Sequence, residues 1–225
     1  MERQVRMEEI SDGKLYGVND MVKADCNDCK GCSACCQSMG NSIVLDPLDI
    51  YRLTTGIHCK FEDLLADKLD LNVVEGIILP NLKMIGKEEK CAFLNEEGRC
   101  SIHSIRPGIC RIFPLGRIYE NESFQYFLQM NECKKQNRTK VKVKKWIDTP
   151  DIKKNEMFII RWHYFLKELG RKLPSLSEEK VKRINMYILN IFFVTLYEKG
   201  RDFYDQFEER MKSAEKDIAI LCGDQ

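Results

Sequence analysis

Cysteine is the residue type with most chemistry in this chain. There are 11 in 225 residues, and ten lie between Cys26 and Cys133, with Cys222 alone near the C-terminus. The densest run is Cys26-x2-Cys29-x2-Cys32-x2-Cys35-Cys36. Two residues between thiols let the backbone turn so that both sulfurs face one centre. The intervening Asn27, Asp28, Lys30, Gly31 and Ser33 are small or polar and suit a tight loop. Thiolates are soft ligands that select zinc or iron–sulfur clusters. Cys26, Cys29, Cys32 and Cys36 spell C-x2-C-x2-C-x3-C, a spacing used by bacterial ferredoxins. Here Gln37 stands where a Pro would follow, and no second copy exists.

Disulfides are a poor reading of these residues. The count is odd, Cys35 and Cys36 are adjacent, and the charged N-terminus shows no apolar secretory segment. The expected location is therefore the cytoplasm. Side chains of neighbours such as Cys35 and Cys36 are expected to point apart and serve different centres. Downstream, Cys91, Cys100, Cys110 and Cys133 form no C-x2-C knuckle. A zinc ribbon wants paired knuckles, so these single thiols tilt the reading towards an iron–sulfur cluster, [4Fe–4S] in type, with zinc as the alternative. The C-x3-C-x2-C triplet of radical S-adenosylmethionine enzymes is missing. Four thiolates on such a centre carry a net negative charge, and Arg106 and Arg111, flanking Cys110, are candidates to offset it as cofactor-binding residues. His58, His103 and His163 are weaker ligand candidates. Cys59 and Cys222 read as packing residues.

The combined motifs resemble the YkgJ-like cysteine-cluster family, whose members are described as zinc- or iron-chelating. The resemblance rests on Cys29-x2-Cys32-x2-Cys35-Cys36, on Cys91-x-Phe93-Leu94, and on Gly98-x-Cys100-x-Ile102-His103-x2-Arg106-Pro107-x2-Cys110-Arg111-x-Phe113-Pro114. It implies eight metal-binding thiols: Cys29, Cys32, Cys35, Cys36, Cys91, Cys100, Cys110 and Cys133. Cys26 is a further candidate ligand beside that set. Flagellin lysine N-methylases carry a similar signature in longer chains, but no G-x-G-x-x-G nucleotide loop occurs here.

The elements that must hold these thiols can be read in part. Asp46 as N-cap and Pro47 at the first turn predict a helix ending near Gly56, and a second short helix covers Phe61 to Lys68. Hairpins are expected around Asn95-Glu96-Glu97-Gly98 and Glu120-Asn121-Glu122-Ser123. Lys134 to Lys145 reads as a solvated linker. Three helices are expected after it: one opening at Thr149-Pro150 and closing at Gly170, one opening at a Ser175-x-x-Glu178 capping box, and one carrying Phe203, Phe207, Met211, Ala214, Ile218 and Leu221 at helical spacing. The expected class is α+β. A lead-in over 1–25 and a cysteine-cluster domain of hairpins and helices over 26–133 precede a helical region over 134–225.

Composition bounds the function. With 36 Lys+Arg against 35 Asp+Glu the net charge is +1, so there is no excess of positive charge for nucleic acid, and no apolar segment is long enough for a membrane. No Ser-His-Asp or Cys-His constellation stands out, which leaves open whether the chain is an enzyme. The expected function is a metalloprotein with a redox or electron-transfer role. The alternatives are a structural zinc module that binds a protein partner, and a protein-modifying enzyme related to the lysine N-methylases.

Overall fold

The structure is a computed structural model that describes residues 6–26, 32–135 and 137–223. It is α+β, with short antiparallel sheets and a helical C-terminal region. In chain order the elements are α1 (Met7–Ile10), β1 (Ser11–Tyr16), β2 (Met21–Asp25), α2 (Pro47–Ile57), α3 (Phe61–Asp67), β3 (Leu69–Val74), β4 (Ile77–Leu82), β5 (Met84–Ile85) and β6 (Lys90–Cys91). Then come α4 (Gly108–Ile112), β7 (Leu115–Glu120), β8 (Ser123–Gln129), β9 (Thr139–Lys142), α5 (Val143–Ile147), α6 (Ile152–Lys172), α7 (Glu178–Leu189) and α8 (Phe203–Cys222).

Helix α2 starts where its cap predicts. The Asp46 carboxylate accepts from Asp49 N at 2.9 Å, and Asp49 accepts in return from Asp46 N at 3.2 Å. The reciprocal pair satisfies two of the amides that a helix start leaves open. Its end is set by His58, left-handed at φ 60°, two residues beyond Gly56.

Both clear hairpins turn on two residues with positive φ. Asn121 and Glu122 join β7 to β8, and Glu75 and Gly76 join β3 to β4. Such turns match the right-handed twist of the strands. The hairpin expected at Asn95–Gly98 is smaller: a turn there is closed by one bridge, Leu94 to Cys100. Gly116 on β7 faces the Phe127 ring so closely that a Cβ would collide with it.

The linker expected at Lys134–Lys145 is structured. Thr139–Lys142 pairs with β2 near the N-terminus, and Val143 and Ile147 of α5 are 0% and 2% exposed. The lead-in likewise supplies strands: β1 completes a three-stranded sheet in the order β1-β8-β7. Ladder pairing across the whole sequence provides order that a local reading of lysines and turn residues does not show.

Two cores result. One joins Leu48, Leu53, Phe61 and Leu79 with Phe158, Trp162, Ile188, Phe207 and Met211, so the thiol-bearing half and the C-terminal helices share buried surface. Aromatic edges dominate it, with Phe158–Phe207 centroids at 4.6 Å and Trp162–Phe192 at 4.9 Å. The smaller core packs Val22 and Ala24 of β2 against Ile112, Tyr126, Leu128, Val143 and Ile147.

The C-terminal helices are shifted in detail from their expected starts. Helix α6 is capped by Asp151, whose side chain accepts from Lys154 N, rather than opening at Thr149-Pro150, and it runs two residues past Gly170. Helix α7 is capped by Ser177 rather than Ser175 and continues into a π-turn over Asn190–Val194. Helix α8 buries Phe203, Phe207, Met211, Ala214 and Ile218 as its spacing predicts.

Candidate metal centre

Four separate segments bring thiols to one cavity. Cys32, Cys35 and Cys36 come from the loop and 3-10 turn that precede α2, and Cys91 from β6. Cys100 lies beyond the Asn95 turn and Cys110 on α4. Each segment is tied down locally. Ser38 N donates to Glu89 O at 2.9 Å, which joins the 3-10 turn to the β5–β6 connection. Ser101 N donates to Phe93 O, which folds Cys100 back towards Cys91. Gly108 N donates to Asp49 Oδ1 at 2.7 Å, which holds the start of α4 against α2.

The adjacent thiols do not point apart. The Cys36 thiol donates to Cys35, and this bond draws the Cys35 pKa down to about 7 while Cys36 is held far above its ordinary value. The tight turn over Ala34–Cys36 keeps the two sulfurs within reach of each other. Burial raises Cys91 and Cys100, and raises the almost fully enclosed Cys110 most of all. Cys35 acts on the charge state of Cys91, Cys100 and Cys110, and Cys110 also feels Cys91 and Cys100. Cys133 stands in a different neighbourhood, where Cys26 and Cys32 are the thiols that act on it and burial raises it. Cys29 lies outside the described residues. Among the described residues no three Cys, His, Asp or Glu side chains stand together at the spacing that holds a single metal ion.

Arg106 is the cation closest in effect to the thiols. It lowers both Cys35 and Cys100, and its guanidinium donates to His103 O at 2.7 Å. Arg111 points elsewhere. It is 6% exposed and donates to the carbonyls of Ser104, Arg106 and Asp148, which clamps the chain around α4. Burial, with Arg52 and Arg106 nearby, lowers its pKa to about 10.

His103 lines the cavity, at 3.2 Å from an Arg106 nitrogen through Nδ1. His163 lines it too and stacks on Tyr119, with centroids 3.6 Å apart. His58 is exposed at the end of α2. Cys59 and Cys222 pack half-buried against the main core, away from the cavity.

Four residues of the site carry no sequence signal for it. Asp46 reads only as a helix cap and Asp49 has no reading from the sequence, yet both face the cavity, and burial raises the pKa of each. Arg117 and Tyr119 read only as hairpin residues, yet alternation along β7 turns both inward.

The donor set fits a thiophilic group. Sulfurs from four segments face one space, with Arg106 beside them. No helix among the described residues is long and apolar enough to cross a membrane. The family model described as "CxxCxxCC: Putative zinc- or iron-chelating domain" matches residues 28–134, a little under half the chain. No curated protein and no solved structure matches.

Proposed function

We propose, for a chain whose residues 28–134 match the CxxCxxCC family model, that the thiols hold an iron–sulfur cluster with a redox or electron-transfer role. The observation that carries this reading is the shared cavity of Cys35, Cys36, Cys91, Cys100 and Cys110. Around one zinc ion, sulfurs would stand about 3.8 Å apart, given a tetrahedron with bonds of about 2.3 Å. A multi-iron core spaces them more widely. A cavity lined by more thiols than the four that a single zinc ion takes is what favours the larger group.

When bound, such a cluster supplies one-electron chemistry. The chain's own residues shape that chemistry. Cys35, Cys91, Cys100 and Cys110 are the proposed ligands of this centre, and Arg106 offsets their negative charge. Asp49 holds the α4 backbone so that Cys110 faces the other thiols. Cys26, Cys32 and Cys133 form the second neighbourhood. The shared core with α6–α8 shields the first group from water on one side.

A structural zinc role is favoured by one observation. The thiol segments and the C-terminal helices share one core, so metal binding would contribute directly to folding. Protein purified without oxygen separates the two. Iron with acid-labile sulfide and visible absorbance supports the cluster, and stoichiometric zinc without that absorbance supports the structural role.

A further inference from the structure

Strand β4 is paired along both edges, and β3 along one. The ladder sets Val73 opposite Ile78, Leu71 opposite Pro80 and Leu69 opposite Leu82. On the β4 side of each pair a backbone group is engaged away from β3. Ile78 N donates to Asn185 Oδ1 at 2.6 Å, Leu45 N donates to Pro80 O at 2.8 Å, and Leu82 N donates to Ile43 O at 3.0 Å. In an antiparallel ladder, directly opposite residues either bond each other or both turn outward. Leu69, Leu71 and Val73 therefore turn their N–H and C=O groups away from β4, to the outer edge of β3. Among the described residues no strand or bridge lies along that edge.

The edge lacks the devices that keep sheet edges from pairing. Leu69-Asp70-Leu71-Asn72-Val73-Val74 holds no Pro and no Lys, and its ladder runs without a bulge. Its one charge, Asp70, lies 3.6 Å from Lys83, just past β4 in the same chain. Leu71 and Val73 alternate onto one face of the strand and are 42% and 69% exposed.

We infer that this edge is an interface between two copies of the chain, in which β3 pairs antiparallel with β3 of the second copy about a twofold axis at Asn72. The strand is complementary to itself in that register. Leu71 of each copy falls opposite Val73 of the other, so the outward N–H and C=O groups of both find partners. The exposed apolar side chains of the two copies then lie side by side on one face. Two observations favour a second copy over a foreign segment. Edges that take foreign strands offer pockets for alternate side chains, whereas Val73 projects from the surface. The far edge of the hairpin is already held by Ile43–Leu45, so self-pairing closes at two copies and does not run on into a fibre. Val74, next along β3, lines the thiol cavity, so the pairing would brace that wall from outside. The inference does not rest on which metal is bound.

Sedimentation of the metal-loaded full chain without oxygen, over about 1–100 µM, reads the mass. The natural chain should sediment at twice its 26.4 kDa. Val73→Lys and Leu71→Lys each set a cation beside the axis in both copies and should weaken the dimer at least about tenfold, with metal content unchanged. Met157→Lys, at a position 70% exposed on α6, should leave the dimer intact. Hydrogen exchange locates the contact: the Leu71 and Val73 amides should exchange slowly in the natural chain and fast in Val73→Lys.

A monomer throughout that range overturns the inference. So does a dimer unmoved by both β3 variants, a dimer lost as readily in Met157→Lys, or fast exchange at Leu71 and Val73 in the natural dimer. Protection of those amides only after a foreign protein is added would assign the edge to another occupant and overturns it too. Should Val73→Lys fail to fold, Leu71→Lys and exchange on the natural chain decide.

Discussion

Asp49 Oδ1 accepts a 2.7 Å hydrogen bond from Gly108 N, across 59 residues of sequence. Through this one bond the cap of α2 sets where α4 begins, and α4 carries Cys110 into the cavity. A carboxylate that looks like local helix chemistry thereby positions a candidate metal ligand.

Removing that acceptor tests the relationship. Asp49→Ala leaves the Gly108 amide and the Asp46 amide without acceptors and is predicted to destabilise the fold by about 1–3 kcal/mol in urea denaturation. Asp49→Asn keeps an acceptor oxygen and should recover much of that loss, with metal content restored alongside. Equal behaviour of Ala and Asn variants would contradict the positioning role.

The same carboxylates make stability depend on pH. Burial, with Asp49 beside it, pushes Asp46 up from 3.8 to about 8, and burial raises Asp49 as well. Above the ordinary carboxylate range the unfolded chain has released these protons while the folded chain still holds them. Stability is then predicted to be fullest below about pH 4 in this contribution and to decline as pH rises towards 8. Comparing Asp46→Asn with the natural chain across that window isolates the effect, since the variant should show a shallower decline. An unchanged pH slope would show that these acids ionise normally in the fold.

Metal uptake should release protons. Burial holds Cys91, Cys100 and Cys110 above the ordinary thiol value of 9.0, so they are protonated at neutral pH without metal. Ligation requires thiolates, so apparent affinity should fall as pH is lowered. A pH indicator in weak buffer during metal addition would follow the release, and uptake with no proton signal would count against thiolate ligation.

Helix α2 was readable because its determinants are local: Asp46, Pro47 and the reciprocal Asp49 lie within one turn. The β7–β8 hairpin was readable for the same reason, since Asn121 and Glu122 mark their own turn. The lysine-rich stretch before Val143 was not. Its strand exists only by pairing with Met21–Asp25, and nothing local distinguishes it from a solvated run. The thiols announced themselves by type and spacing. The cavity beside them did not, because Arg117, Tyr119 and Trp162 meet only after β7 packs on α6.

Close approach at Gly116 offers a separate check on that packing. A Cβ there meets the Phe127 ring. Gly116→Ala is predicted to cost about 1–3 kcal/mol, as overpacking does, read as a lowered denaturation midpoint with an unchanged slope. A neutral substitution would mean that β7 and β8 approach less closely than described.

The central claim is that Cys110 and its neighbouring thiols hold metal, and it is most directly tested by metal and sulfide analysis of three proteins purified without oxygen. These are the natural chain, Cys110→Ala and Cys222→Ala. The account predicts iron with acid-labile sulfide in the natural chain, its loss in Cys110→Ala, and its retention in Cys222→Ala. A natural chain without bound metal, or a Cys110→Ala variant with full metal content, would contradict it.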